Sequence, residues 1–152
     1  MESAMQGVNG KGALWPGEVS PEELLEQARE AAARAYVPYS RFHVGAALLF
    51  KSGEILKGCN VENASYGITV CAERSSIAVM VSQGMRDPLA IAVVGSHEDR
   101  DDYLTVPCPP CGTCRQTLME FNSNMVVVLA SSQGPKLFGI QELLPHSFFL
   151  EH

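Results

Sequence analysis

Residues 107 to 116 read Pro107-Cys108-Pro109-Pro110-Cys111-Gly112-Thr113-Cys114-Arg115-Gln116, and Cys71-Ala72-Glu73-Arg74 lies 40 residues upstream of Cys111. Two-residue spacers let neighbouring thiolates converge on one metal ion. Cys71 joins them only in a fold that brings the two stretches to the same place, and that requirement shapes everything else. Glu73, two residues after Cys71, adds a carboxylate beside the metal that need not be a ligand. Three soft ligands plus one free acid is the inventory of a catalytic zinc site that keeps an open position.

The chain has 152 residues, enough for one domain that buries a core without disulfides. Its five cysteines are an odd number, and three of them sit at two-residue spacings, so they do not read as a disulfide framework. A reducing compartment follows. No stretch is long and apolar enough to span a membrane, and no signal-peptide pattern is visible, so a cytoplasmic location is expected. The net charge of −6 and the lack of any basic run argue against nucleic acid as a partner.

Residues 1–17 are Gly-rich without apolar periodicity and are expected to form a flexible extension, with the domain spanning 18–152. Ser20, Pro21 and Glu23 form a helix start with a capping box, and the apolar face Leu24, Leu25, Ala28, Ala31, Ala32, Ala35 carries the helix to Tyr36, ahead of Pro38. Residues 43–50 and 55–61 read as a β-hairpin. Asn60 and Glu62, two apart on extended chain, share a face. A helix over 71–83, apolar on nearly all sides, is expected to be buried and to end at Gly84. Residues 89–95 and 125–130 read as interior strands, with a helix from 111 to 121 between them. A last strand spans 136–140, and a helical turn spans 141–144. The order α, β, β, α, β, α, β, β implies an α/β fold: a three-layer α/β/α sandwich on a mixed five-stranded sheet with an antiparallel first hairpin.

Cys71 and Cys111 fall at expected helix N-termini, where free amides and the helix dipole favour thiolate. Cys108 is followed by two prolines that lack the N–H groups a thiolate needs. The ligand set is therefore Cys71, Cys111 and Cys114, with Cys108 a loop thiol. Three thiolates on zinc leave a net negative site that opposes ionisation of water. Arg74 is the residue expected to offset it by donating to the sulfurs. The four histidines are scattered singly and stay out of the metal site.

Across most of its length the sequence resembles the small, homotetrameric, zinc-dependent cytidine deaminases. The matching stretches are Tyr36 to Phe42, Val44 to Leu48, Gly58 to Tyr66, Cys71 to Arg74, Pro110 to Gln116 and Gln141 to Pro145. The resemblance implies one zinc per chain and a small nucleoside as substrate. It implies that Glu73 takes a proton from the zinc-bound water, protonates N3 of the base and later the departing amino group, while C4 is attacked to give uridine and ammonia. It further implies substrate contacts from Phe42, Asn60, Glu62, Ala64, Tyr66 and Ala72, with Phe148 reaching into a neighbouring subunit's site. Cys108-Pro109 departs from the small polar residue usual before Pro-Cys, and Gly67 to Val70 is also atypical.

Two rival readings remain. One is a deaminase of another cytosine compound: a nucleotide, a polynucleotide or an antibiotic nucleoside. Glu62, at the sugar, would repel a phosphate. The other is a closed structural site of four cysteines, including Cys108, or an iron–sulfur site, either of which leaves Glu73 and the Asn60/Glu62 pair without a role.

Overall fold

The computed structural model describes residues 15–152, so most of the expected extension 1–17 lies outside the described residues. Trp15 packs on the apolar cluster beneath helix α1, and its indole N–H donates to the Val19 carbonyl at 2.8 Å. Helix α1 spans Pro21–Ala32, strand β1 Phe42–Phe50 and β2 Ile55–Cys59. Helix α2 spans Ala72–Ser82, β3 Pro88–His97 and α3 Gly112–Phe121, followed by β4 Val126–Leu129, β5 Lys136–Gly139 and the short α4 Ile140–Leu143.

The five strands lie in the order β2-β1-β3-β4-β5. Only β3 and β4 are parallel; the other three pairings are antiparallel. The strand period of two sorts the core into two layers. Ala47 and Leu49 of β1, Ala90, Ala92 and Val94 of β3, and Val126 and Val128 of β4 face α1 through Leu24, Leu25 and Ala28. Ala46 and Leu48, Ile91 and Val93, and Val127 face the opposite way, onto Ile77 and Met80 of α2 and Leu118 of α3. This is the expected three-layer sandwich on a mixed sheet.

Helix α1 ends sooner than its apolar pattern suggests. Ala33 caps it, and the backbone of Tyr36 is taken by strand-like pairing: its N–H donates to Asn60 O at 3.0 Å, and its carbonyl accepts from Glu62 N at 2.8 Å. Tertiary pairing therefore overrides the helical period here. Ser20 caps the start by accepting from Glu23 N at 3.1 Å. The reciprocal half of the capping box is missing, because the Glu23 carboxylate accepts from Gln27 Nε2 at 3.0 Å.

Helix α2 ends as its sequence predicts: Gly84 sits at φ +79°, a conformation that glycine adopts without strain. Its burial is one-sided, however. Ala72, Ile77 and Met80 are buried, whereas Ala78 is exposed and Val81 is 37% exposed. A helix apolar all round but covered on one side leaves apolar surface for a further contact.

Gly58 of β2 lets α2 approach the sheet. A Cβ there would lie 2.5 Å from Ser76 N and 2.8 Å from Ala72 O, both backbone atoms of the helix. Gly58→Ala must push α2 outward, and overpacking of this kind costs about 1–3 kcal/mol. The expected result is a lower denaturation midpoint in urea with an unchanged slope.

Candidate active site

The first turns of α2 and α3 bring Cys71, Cys111 and Cys114 together, with the three sulfur atoms all within 4.8 Å of one another. Cys71 and Cys111 are the N-cap residues of their helices, and Cys114 lies in the first turn of α3, fully buried. The set fits zinc in its chemistry: three soft sulfur donors converge where two helix starts present free amides. Among the described residues this is the only such cluster, and Cys108 is outside it.

The electrostatics differ from thiol to thiol. The backbone N–H groups of Cys114 and Thr113 pull Cys111 below the usual thiol range, although neither closes a capping hydrogen bond to its sulfur. Burial pushes Cys114 up, and the neighbouring Glu73, Cys71 and Cys111 push the same way. That is the cost of gathering negative groups in a dry place without a cation, and a divalent ion removes it. Arg74 supplies part of the compensation from the protein. Its Nη2 donates to the Thr69 carbonyl at 2.9 Å and lies 3.9 Å from Cys71 Sγ. Its buried Nε has no hydrogen-bond partner among the described residues.

Glu73 occupies the first turn of α2 and is only 4% exposed. Burial raises its carboxyl above the usual carboxylate range, against opposing pulls from its own backbone N–H, Cys114 and Arg74. Desolvation of this kind moves a carboxyl in the direction that general acid–base work requires.

Cys108 packs half-buried against the cluster between the sheet and α2. Burial pushes its thiol up to about 12, with Glu73 and Cys71 contributing in the same direction. A Cβ on Gly95 would meet Cys108 Sγ at 2.7 Å and the Phe42 ring at 2.7 Å. Gly95 of β3 is thus the floor on which Phe42 and Cys108 rest. Sequence reading passed over Gly95 and Gly58; a glycine inside an apolar strand was the available signal.

Asn60 and Glu62 both turn toward residues 39–44. Asn60 Oδ1 accepts from Val44 N at 2.9 Å, and its Nδ2 donates to Phe42 O at 3.0 Å. Glu62 Oε1 accepts from Tyr39 N at 3.0 Å and Ser40 N at 3.1 Å. Hydrogen bonding by Ser40 holds the Glu62 carboxyl below its ordinary value, so it stays ionised at neutral pH. Ala72 is fully buried in the core, whereas Ala64 and Tyr66 are exposed. Phe148 is 68% exposed in the C-terminal segment, its carbonyl accepting from Gln116 Nε2 at 2.6 Å. A hollow of about 820 Å³ runs between the end of α3 and this segment and is lined by none of the thiols.

Residues 19–130 match the family described as the cytidine and deoxycytidylate deaminase zinc-binding region. A protein named cytidine deaminase from Halalkalibacterium halodurans is 46% identical over 130 residues, covering 84% of this chain and 93% of that protein. A protein named blasticidin-S deaminase from Bacillus cereus is 32% identical over 124 residues, covering 81% and 88%. Among solved structures, the cytidine deaminase of Burkholderia pseudomallei superposes with a TM-score of 0.73 at 42% identity, over 82% of this chain and 96% of that one.

Proposed function

This chain belongs to the cytidine and deoxycytidylate deaminase family, and we propose that it hydrolyses cytidine and deoxycytidine to uridine and deoxyuridine with release of ammonia. The observation that carries this is the buried Glu73 in the same helical turn as Cys71, beside two further converging thiols. A closed structural site has no use for that acid.

Zinc held by Cys71, Cys111 and Cys114 supplies Lewis acidity that makes water nucleophilic near neutral pH. The remaining chemistry belongs to the chain. Glu73 accepts a proton from water and delivers it to N3 of the base as the new C4–O bond forms. It then takes the remaining proton from the newly added oxygen and hands it to the amino group, so that the C4=O bond forms as the C4–N bond breaks and ammonia leaves. Arg74 offsets the negative charge of the thiolates through Cys71. Phe42, on its Gly95 floor, packs beside the sugar and base. Asn60 and Glu62 hold the ribose, aided by the exposed Ala64 and Tyr66, while the buried Ala72 contributes through its backbone at the start of α2.

Glu62 is the anionic member of that group and also disfavours a substrate phosphate. Glu62→Gln keeps an oxygen for the amides of Tyr39 and Ser40 but loses the charge. It is expected to raise KM for cytidine by about tenfold or more, the scale of one hydrogen bond to a charged group, with a smaller change in kcat. Steady-state kinetics on cytidine and its monophosphate measure this.

The working unit is a homotetramer in the cytoplasm that serves pyrimidine salvage, with Phe148 of one copy completing a neighbour's site. Exposed Tyr66, Ile68, Val61 and Phe148, with the uncovered side of α2, support such self-association. Residues 18–152 form the catalytic domain, with Trp15 packed against its core. No helix among the described residues is long and apolar enough to cross a membrane.

The fall in absorbance on incubating the zinc-loaded protein with cytidine tests the reading directly. The second reading, an antibiotic nucleoside as substrate, is favoured by the relative named blasticidin-S deaminase. Turnover of cytidine, deoxycytidine, their monophosphates and blasticidin S, compared side by side, separates the two. Preference for a monophosphate or for blasticidin S overturns the nucleoside assignment.

A further inference from the structure

Of the three converging thiols, Cys111 is the most exposed. Cys114 is buried, and Cys71 is approached by the Arg74 guanidinium. Cys111 is exposed, at the very start of α3. Its position depends on the turn that precedes it. That turn contains Pro109 and Pro110, which have no N–H to donate, so it cannot fix itself with its own amides.

Arg115 does this work from outside. Its backbone N–H donates to Cys111 O at 2.9 Å, and its Nε donates to Pro110 O at 2.8 Å, so the residue grips the chain on both sides of the Cys111 Cα. The same guanidinium donates from Nη1 to Leu143 O at 2.8 Å, at the end of α4. Beside it, Gln116 Nε2 donates to Phe148 O at 2.6 Å. The two residues that follow Cys114 therefore tie the thiol turn to the C-terminal segment.

We propose that Arg115 is a positioning residue for the metal: by clamping the Pro110 carbonyl to α4 it holds Cys111 in ligating position. The inference rests on the zinc reading above. A planar guanidinium spans two carbonyls at fixed geometry, whereas a lysine ammonium is a single point that reaches one of them. Loss of the groups that orient a metal ligand typically costs about 10–100-fold in metal affinity or activity.

The test is the rate at which the zinc-loaded protein surrenders its metal to a chromogenic chelator at 25 °C. It is measured for wild type, Arg115→Met and Arg115→Lys, with the thermal midpoint recorded for each. Arg115→Met is expected to release zinc about 10–100-fold faster, with Arg115→Lys in between. Leu25→Ala, on the far side of the sheet, lowers stability without touching the clamp and is expected to release zinc at the wild-type rate. Arg115→Lys preserves the charge and most of the stem, so it reports even where Arg115→Met folds poorly. Release from Arg115→Lys at the wild-type rate overturns the inference and leaves the zinc site standing, as does equally fast release from Leu25→Ala. A wild-type protein that retains no zinc refutes the zinc reading itself, and this inference with it.

Discussion

Glu73→Gln is expected to keep about one zinc per chain while losing cytidine turnover by about 10²–10⁴-fold or more. The substitution is nearly isosteric, and Glu73 is not among the three converging metal donors, so the metal cage has no reason to open. What disappears is a group that moves a proton more than once in each turnover. Its environment suits proton transfer in both directions, because burial raises its carboxyl while Cys114 and Arg74 pull the other way. A neutral amide in the same place needs no such balance, and removing a charge from a 4% exposed site is not expected to lower stability. The distinguishing result is therefore a stable, zinc-loaded, nearly inactive protein. Zinc content, thermal midpoint and the rate of absorbance change at saturating cytidine measure it together. Turnover near the wild-type level would remove Glu73 from the chemistry.

The sequence carried the elements and the metal donors because both are local signals. Residues 89–95 and 125–130 are apolar without interruption, and a strand covered on both faces has to be. The cysteine spacing at helix starts pointed to the ligand trio for the same reason. What was not legible depends on what lies opposite in space. Tyr36 looked like a helix end, but its backbone groups pair with Asn60 and Glu62, some 24 residues on. Asn60 read as a polar partner of Glu62 turned toward substrate, yet its amide fastens Phe42 and Val44. Gly95 has a reason to be glycine only once Phe42 and Cys108 are seen above it. Arg115 stood in plain view beside Cys114, but one of its acceptors, Leu143, is 28 residues away.

Cys114→Ala and Cys108→Ala are expected to diverge completely, although both remove a half- or fully buried thiol from the same stretch of chain. Cys114 is one of three sulfurs within 4.8 Å of one another. Without it only two donors face the ion, too few for a site that must also leave a position open to water. Zinc and turnover are expected to be lost together, with a marked fall in thermal stability because metal binding no longer favours the folded state. Cys108 stands apart from the trio, packed on Gly95 beside the Phe42 ring. It lies outside the group of sulfurs that converge closely enough to share an ion. Cys108→Ala removes one sulfur atom of packing, a loss of about 1 kcal/mol on the scale of small core truncations. It should retain one zinc per chain and comparable deaminase activity, with KM as the parameter most exposed to any shift of Phe42. Metal analysis by mass spectrometry on both variants decides the matter. Loss of zinc from Cys108→Ala would mean that four thiolates close the site, leaving no position at which water could be activated.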